Sequence, residues 1–178
     1  MTPLRSAKPA AMSVTLVLGG ARSGKSRAAE ALVEALPPPW HYLATAEALD
    51  TEMAERIAAH RAARPAGWIT HDTPFNLAGT LAALPPGQPA LVDCLTLWLT
   101  NLMLAERDLA AETARLTEAL AAPSRTLVLV ANEVGLGIVP DNPLARRFRD
   151  AAGRLNQAVA ARADHVFFMV AGLTTRIK

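Results

Sequence analysis

The run Gly19-Gly20-Ala21-Arg22-Ser23-Gly24-Lys25-Ser26 constrains this chain more than any other feature. It follows a strand-length apolar stretch at residues 14–18 and opens an amphipathic helix predicted over residues 25–36. A glycine, four residues and then Gly-Lys-Ser at a strand-to-helix turn let backbone amides curl around phosphate oxygens. The helix adds free N–H groups and the positive end of its dipole. Lys25 would reach the outer phosphates of a nucleoside triphosphate, and the Ser26 hydroxyl suits Mg2+. An accidental glycine-rich turn is the competing explanation, and the strand before it and the helix after it weigh against that.

Further apolar runs of strand length fall at residues 41–44, 91–92, 126–131 and 165–170, several of them apolar on consecutive positions, as in strands covered on both faces. Helices are expected over residues 51–63, 96–106, 109–121 and 144–163, the last opened by an Asn142-Pro143 cap signal. Strands alternating with helices imply crossover connections and a mainly parallel central sheet. Neither an internal repeat nor a low-complexity linker divides the chain. Its 178 residues suit a flexible tail over 1–11 and a single domain over 12–178.

Composition narrows the setting. Hydrophobic residues make up 51% of the chain, yet no apolar run approaches the roughly 18 residues of a membrane span. Residues 1–11 carry Arg5 and Lys8 and no apolar segment, unlike a secretory signal. A lone cysteine, Cys94, excludes an internal disulfide and fits the cytoplasm. A net charge of +2 is too small for a phosphate-tracking surface, so no nucleic-acid partner is expected.

A second carboxylate-bearing strand should end near the loop, and Leu91-Val92-Asp93 supplies it. Asp93 can hold Mg2+ through water or accept a proton from an attacking hydroxyl; alternatively it caps the helix that follows. Cys94 reads as a small buried apolar residue rather than a nucleophile.

The segment 50–65 reads as a helix with Asp50 as cap, acids in its first turn and Pro65 as stop. Arg56, His60 and Arg64 fall four residues apart and share a face. That face is either a solvated stripe with an ordinary histidine, or a site where neutral His60 attacks phosphorus with Arg61 and Arg64 balancing phosphate charge. Spacing alone leaves both open.

Taken together, GGARSGKS, YLATAEALDTEMAERIAAHRAARPAGW, LVDCLTLWLTNLM and NEVGLGIVPDNPLARRFRDAAGRLNQ resemble the bifunctional adenosylcobinamide kinase and adenosylcobinamide-phosphate guanylyltransferase family, from about residue 14 to 178. The resemblance implies a P-loop NTPase, RecA-like three-layer α/β fold and two late steps of cobalamin synthesis. The first phosphorylates adenosylcobinamide from ATP or GTP. The second moves GMP from GTP, through a guanylyl-histidine, onto adenosylcobinamide phosphate.

By position, the resemblance makes His60 the guanylyl acceptor and gives Arg61, Ala62, Ala63, Arg64, Thr45 and Asp72 contacts with the nucleotide, with Asp93 at the metal end. It also implies a homo-oligomer. Some relatives carry two adjacent histidines where this chain has Ala59 and His60. The glycine-rich stretch 132–140 is expected as a loop at the ligand-binding edge of the sheet, either a constrained turn or a corrinoid contact. The rival functions are a single-activity small-metabolite kinase and a nucleotide-dependent switch. Against the switch, the chain lacks an Asn-Lys-x-Asp guanine signature.

Overall fold

The computed structural model describes residues 12–47, 51, 55, 58, 61–62, 64–121 and 123–178. Seven strands form one sheet: β1 (Val14–Gly19), β2 (Trp40–Ala44), β3 (Trp68–Asp72), β4 (Ala90–Asp93), β5 (Leu127–Asn132), β6 (His165–Val170) and β7 (Leu173–Arg176). Their spatial order is β3-β2-β4-β5-β1-β6-β7. All neighbours pair in parallel except β6 and β7. The helices bounded among the described residues are α1 (Lys25–Glu34), α2 (Leu77–Ala83), α3 (Leu95–Leu104), α4 (Leu109–Ala121) and α5 (Pro143–Arg162).

Strand side chains alternate between two apolar layers, as a period of two requires. Val17, Tyr42, Ala44, Leu91, Val128 and Val130 face α1 through Ala29 and Val33. On the other side Leu16, Leu43, Val92 and Leu129 meet Leu81 of α2, Trp98 of α3, Leu120 of α4 and Val159 of α5. Each fully buried leucine contributes roughly 1.5–3 kcal/mol relative to exposure. Helices on both faces of a mostly parallel sheet, with a glycine-rich loop leaving the inner strand β1, make the expected three-layer P-loop fold.

The α5 cap forms as its sequence predicts: Asn142 Oδ1 accepts from the N–H groups of Leu144 at 2.7 Å and Ala145 at 3.2 Å, with Pro143 opening the helix. Of the helix expected over 51–63, residues 51, 55, 58, 61 and 62 are described, each helical; Asp50, Arg56, His60 and the tail 1–11 lie outside the described residues. Three elements were not expected from sequence. β3 and β7 are edge strands with little buried surface, so they lack the continuous apolar signature of covered strands, and α2 has only 7 residues. Among the described residues, no helix is long and apolar enough to cross a membrane.

Candidate functional site

Because β1 lies between β5 and β6, its last residue Gly19 emerges beside Asn132 and Met169. A Cβ on Gly19 would stand 2.5 Å from the Met169 carbonyl oxygen and 2.8 Å from Ser23 Oγ. Only glycine lets the loop turn this close to its neighbour. The Ser23 N–H donates to the Gly20 carbonyl at 3.3 Å, closing the turn. A hairpin supports the loop from behind: the Gly172 N–H donates to the Ser23 carbonyl at 3.0 Å. Its two-residue turn, Ala171 at φ 51° and Gly172 at φ 77°, has the positive angles that suit tight hairpins.

Lys25 opens α1 and folds back, its Nζ donating to the Gly20 carbonyl at 2.7 Å. The side chain is only 7% exposed. Burial lowers its pKa from the ordinary 10.5, while the Asp93 carboxylate opposes the shift. A cation held in a half-closed loop within electrostatic reach of a carboxylate is suited to an anionic ligand. The Ser23 hydroxyl points the same way: it is buried with no hydrogen-bond partner among the described residues, a cost that a bound oxyanion would relieve. Ser26, also in the first turn of α1, is half-buried.

Asp93 ends β4, separated from β1 by β5 alone. It does not cap α3; that position belongs to Cys94, which makes no side-chain cap bond. Instead Asp93 Oδ2 accepts from the Tyr42 hydroxyl at 3.0 Å. Cys94 is buried, and burial followed by the charge of Asp93 pushes its thiol up to about 11, which suits an inert apolar residue.

Thr45 is fully buried beneath this end of the sheet. Its Oγ1 donates to the Cys94 carbonyl and accepts from the Cys94 N–H, both at 2.8 Å. Asn101 Nδ2 donates to the Thr45 carbonyl at 2.7 Å. The threonine side chain therefore supports the Asp93-Cys94 segment from within.

The structure brings Arg61 and Asp72 together in an exposed ion pair at 2.8 Å. Arg64 is engaged differently, with a side chain 9% exposed. Its Cζ lies 3.2 Å from the centroid of the Tyr42 ring, and its Nη1 donates to Thr70 Oγ1 at 3.0 Å. Ala62 is exposed, while His60 and Ala63 lie outside the described residues. Tyr42 thus touches both Asp93 and Arg64. Sequence reading missed it, because an aromatic residue within an apolar strand carries no signal beyond packing.

The loop after β5 leaves from the same edge, with the Glu133 N–H donating to the Gly19 carbonyl at 3.0 Å. It exposes Leu136, Ile138 and Val139, and Met103 and Leu104 of α3 with Leu144 and Phe148 of α5 help to line a cleft of about 350 Å³. Arg146 reaches back to the carbonyls of Pro140 and Asp141, at 2.8 and 2.6 Å, and ties the loop to α5. Arg149 pairs with Asp150.

A family model described as cobinamide kinase / cobinamide phosphate guanyltransferase matches residues 15–177. The chain belongs to this family. It is 51% identical over 166 residues to the bifunctional adenosylcobalamin biosynthesis protein CobP of Pseudomonas aeruginosa, covering 92% of this chain and 96% of that protein. The protein named CobU from Salmonella typhimurium is 45% identical, with 92% and 98% covered. A solved structure from Pyrococcus horikoshii OT3 superposes with a TM-score of 0.51 at 12% identity, over 93% of this chain and 86% of that one, and supports the fold alone. The family is bifunctional, so this cobinamide kinase / guanyltransferase is an enzyme of cobalamin biosynthesis.

Proposed function

We propose that the protein phosphorylates the aminopropanol hydroxyl of adenosylcobinamide with ATP or GTP. It then transfers GMP from GTP, by way of guanylyl-His60, to give adenosylcobinamide-GDP and pyrophosphate. The observation that carries the phosphoryl-transfer step is the cradle around Lys25: a cation folded onto the Gly20 carbonyl, the buried Ser23 hydroxyl, and Asp93 at the end of β4; the guanylyl step is supported by the family match.

In the first reaction, the amides of residues 19–26 hold the β- and γ-phosphates, and Lys25 moves from its carbonyl partner to the phosphate oxygens. The substrate hydroxyl attacks the γ-phosphorus in line, and Asp93 takes its proton directly or through water. Ser26 and Asp93 are the oxygen donors that would hold Mg2+, which when bound neutralises phosphate charge.

In the second reaction, a lone pair of neutral His60 attacks the α-phosphorus of GTP and pyrophosphate leaves. An oxygen of adenosylcobinamide phosphate then attacks the same phosphorus and frees the imidazole. Arg61 and Arg64, which follow His60 in that segment, would balance the phosphate charge. Protonated imidazole has no lone pair, so adduct formation fades as the pH falls below the histidine pKa.

The test is incubation with GTP labelled on the α-phosphate. A covalent adduct that is acid-labile and base-stable is expected on the wild type and absent from His60→Ala, which should still phosphorylate adenosylcobinamide. No adduct on folded wild-type protein would leave only a kinase. Loss of both activities in a folded His60→Ala would overturn the separate roles.

A further inference from the structure

We infer that Tyr42 is a positioning residue for Asp93: its hydroxyl holds Oδ2, leaving Oδ1 to serve the metal or the substrate hydroxyl. The inference rests on the proposed role of Asp93 at the metal end of the site.

The register of the sheet creates the contact. Tyr42 pairs with Leu91 across β2 and β4, so Asp93, two residues on, shares its face at diagonal reach. The 3.0 Å hydrogen bond then runs along the sheet toward the phosphate-binding edge. Tyr42 is 4% exposed. An ionised carboxylate has no proton to give, so the phenol hydroxyl is the donor. A carboxylate with one oxygen committed to a fixed donor loses rotation about its Cβ–Cγ bond, and a single oxygen is presented in one direction.

The ring that carries the hydroxyl is itself held. Trp68 meets it edge-on, with centroids 5.8 Å apart and planes at 78°, and the Arg64 guanidinium covers it at 3.2 Å. Phenylalanine would preserve this packing, so packing does not require the hydroxyl. Arg64 belongs to the same sequence segment as His60. Tyr42 therefore joins the carboxylate proposed for kinase chemistry to the segment proposed for guanylyl transfer.

The test compares Tyr42→Phe, Asp93→Asn and the double variant, reading GTP binding by calorimetry as the magnesium concentration is varied, with thermal melts alongside. Tyr42→Phe should raise the magnesium concentration for half-maximal binding about tenfold and leave metal-free GTP affinity and melting temperature close to wild type. The double variant should be no worse than Asp93→Asn, because the hydroxyl acts through that carboxylate. An unchanged magnesium dependence in Tyr42→Phe beside a shifted one in Asp93→Asn overturns this inference alone. No shift in either variant overturns the metal role of Asp93 as well. A Tyr42→Phe effect that tracks lost melting temperature, with metal-free affinity falling too, reduces Tyr42 to a structural residue and overturns the inference.

Discussion

Lys25 Nζ donates to the Gly20 carbonyl at 2.7 Å, so the lysine of the phosphate loop is bound to the loop itself. A triphosphate must displace that carbonyl to take the ammonium. Self-occupancy keeps a buried cation satisfied and holds the loop near the shape that a phosphate requires.

Replacing Lys25 with methionine removes the cation while retaining a similar apolar stem. Nucleotide-dependent kcat/KM should fall about 100-fold or more, as expected for lost charge stabilisation on a transferring phosphoryl group. The nucleotide-free protein should melt no lower than wild type, because the lysine bears a burial cost that lowers its pKa. Steady-state kinetics and thermal melts check the two halves, and a large loss of apoprotein stability would contradict the assignment of Lys25 to ligand binding.

The adjacent glycines of the loop should respond differently. At Gly19 an added methyl would meet the Met169 carbonyl at 2.5 Å, and Gly19→Ala should destabilise by about 1–3 kcal/mol through backbone displacement. Gly20→Ala has nothing within 4 Å of the new atom, so urea melts should place it near wild type. Equal losses for both would mean that the loop is looser than this packing implies.

Thr45→Val retains the side-chain shape and deletes a hydroxyl bonded to both backbone groups of Cys94. The Cys94 carbonyl keeps the Trp98 N–H at 3.1 Å, but the buried Cys94 N–H loses its acceptor, which should cost about 1–3 kcal/mol in urea denaturation, with Thr45→Ser recovering most of it. If Thr45→Val matched wild type in stability, the support of the Asp93-Cys94 segment would have to come from elsewhere.

His71 predicts a dependence on pH. Its Nε2 lies 2.8 Å from His41 Nδ1, and His41 Nε2 lies 2.5 Å from Gln88 Oε1. Burial first, then His41, lowers the His71 pKa from 6.5, with Asp72 pulling upward. The unfolded chain therefore binds this proton more readily. The stability at stake is fully present above pH 6.5, declines as the pH falls through the folded value, and levels off below it. Melts between about pH 7.5 and pH 5.5 should show the decline, and His71→Gln should flatten it. An identical slope in the variant would remove His71 from the acid response.

The phosphate loop, the covered strands and the long helices were legible in the sequence because local chemistry specifies each: glycines before a helix, consecutive apolar residues, and Asn142-Pro143 as a cap. The resemblance carried by later segments agreed with the family to which the chain belongs. β3 and β7 were not legible. Trp68-Ile69-Thr70-His71-Asp72 is strand only because β2 offers it a parallel partner, and β7 forms because an Ala171-Gly172 turn folds it onto β6.

The candidate site divides along the same line. Lys25, Ser26 and Asp93 could be named from their motif and strand, because a phosphate loop and a strand-end acid are written within a few consecutive residues. The Tyr42–Asp93 hydrogen bond joins residues 51 positions apart, and Arg64 meets Tyr42 across a crossover. Those partners depend on strand order and register, which long-range packing decides, so the sequence by itself determined the phosphate loop and only the tertiary structure placed Tyr42 beside Asp93.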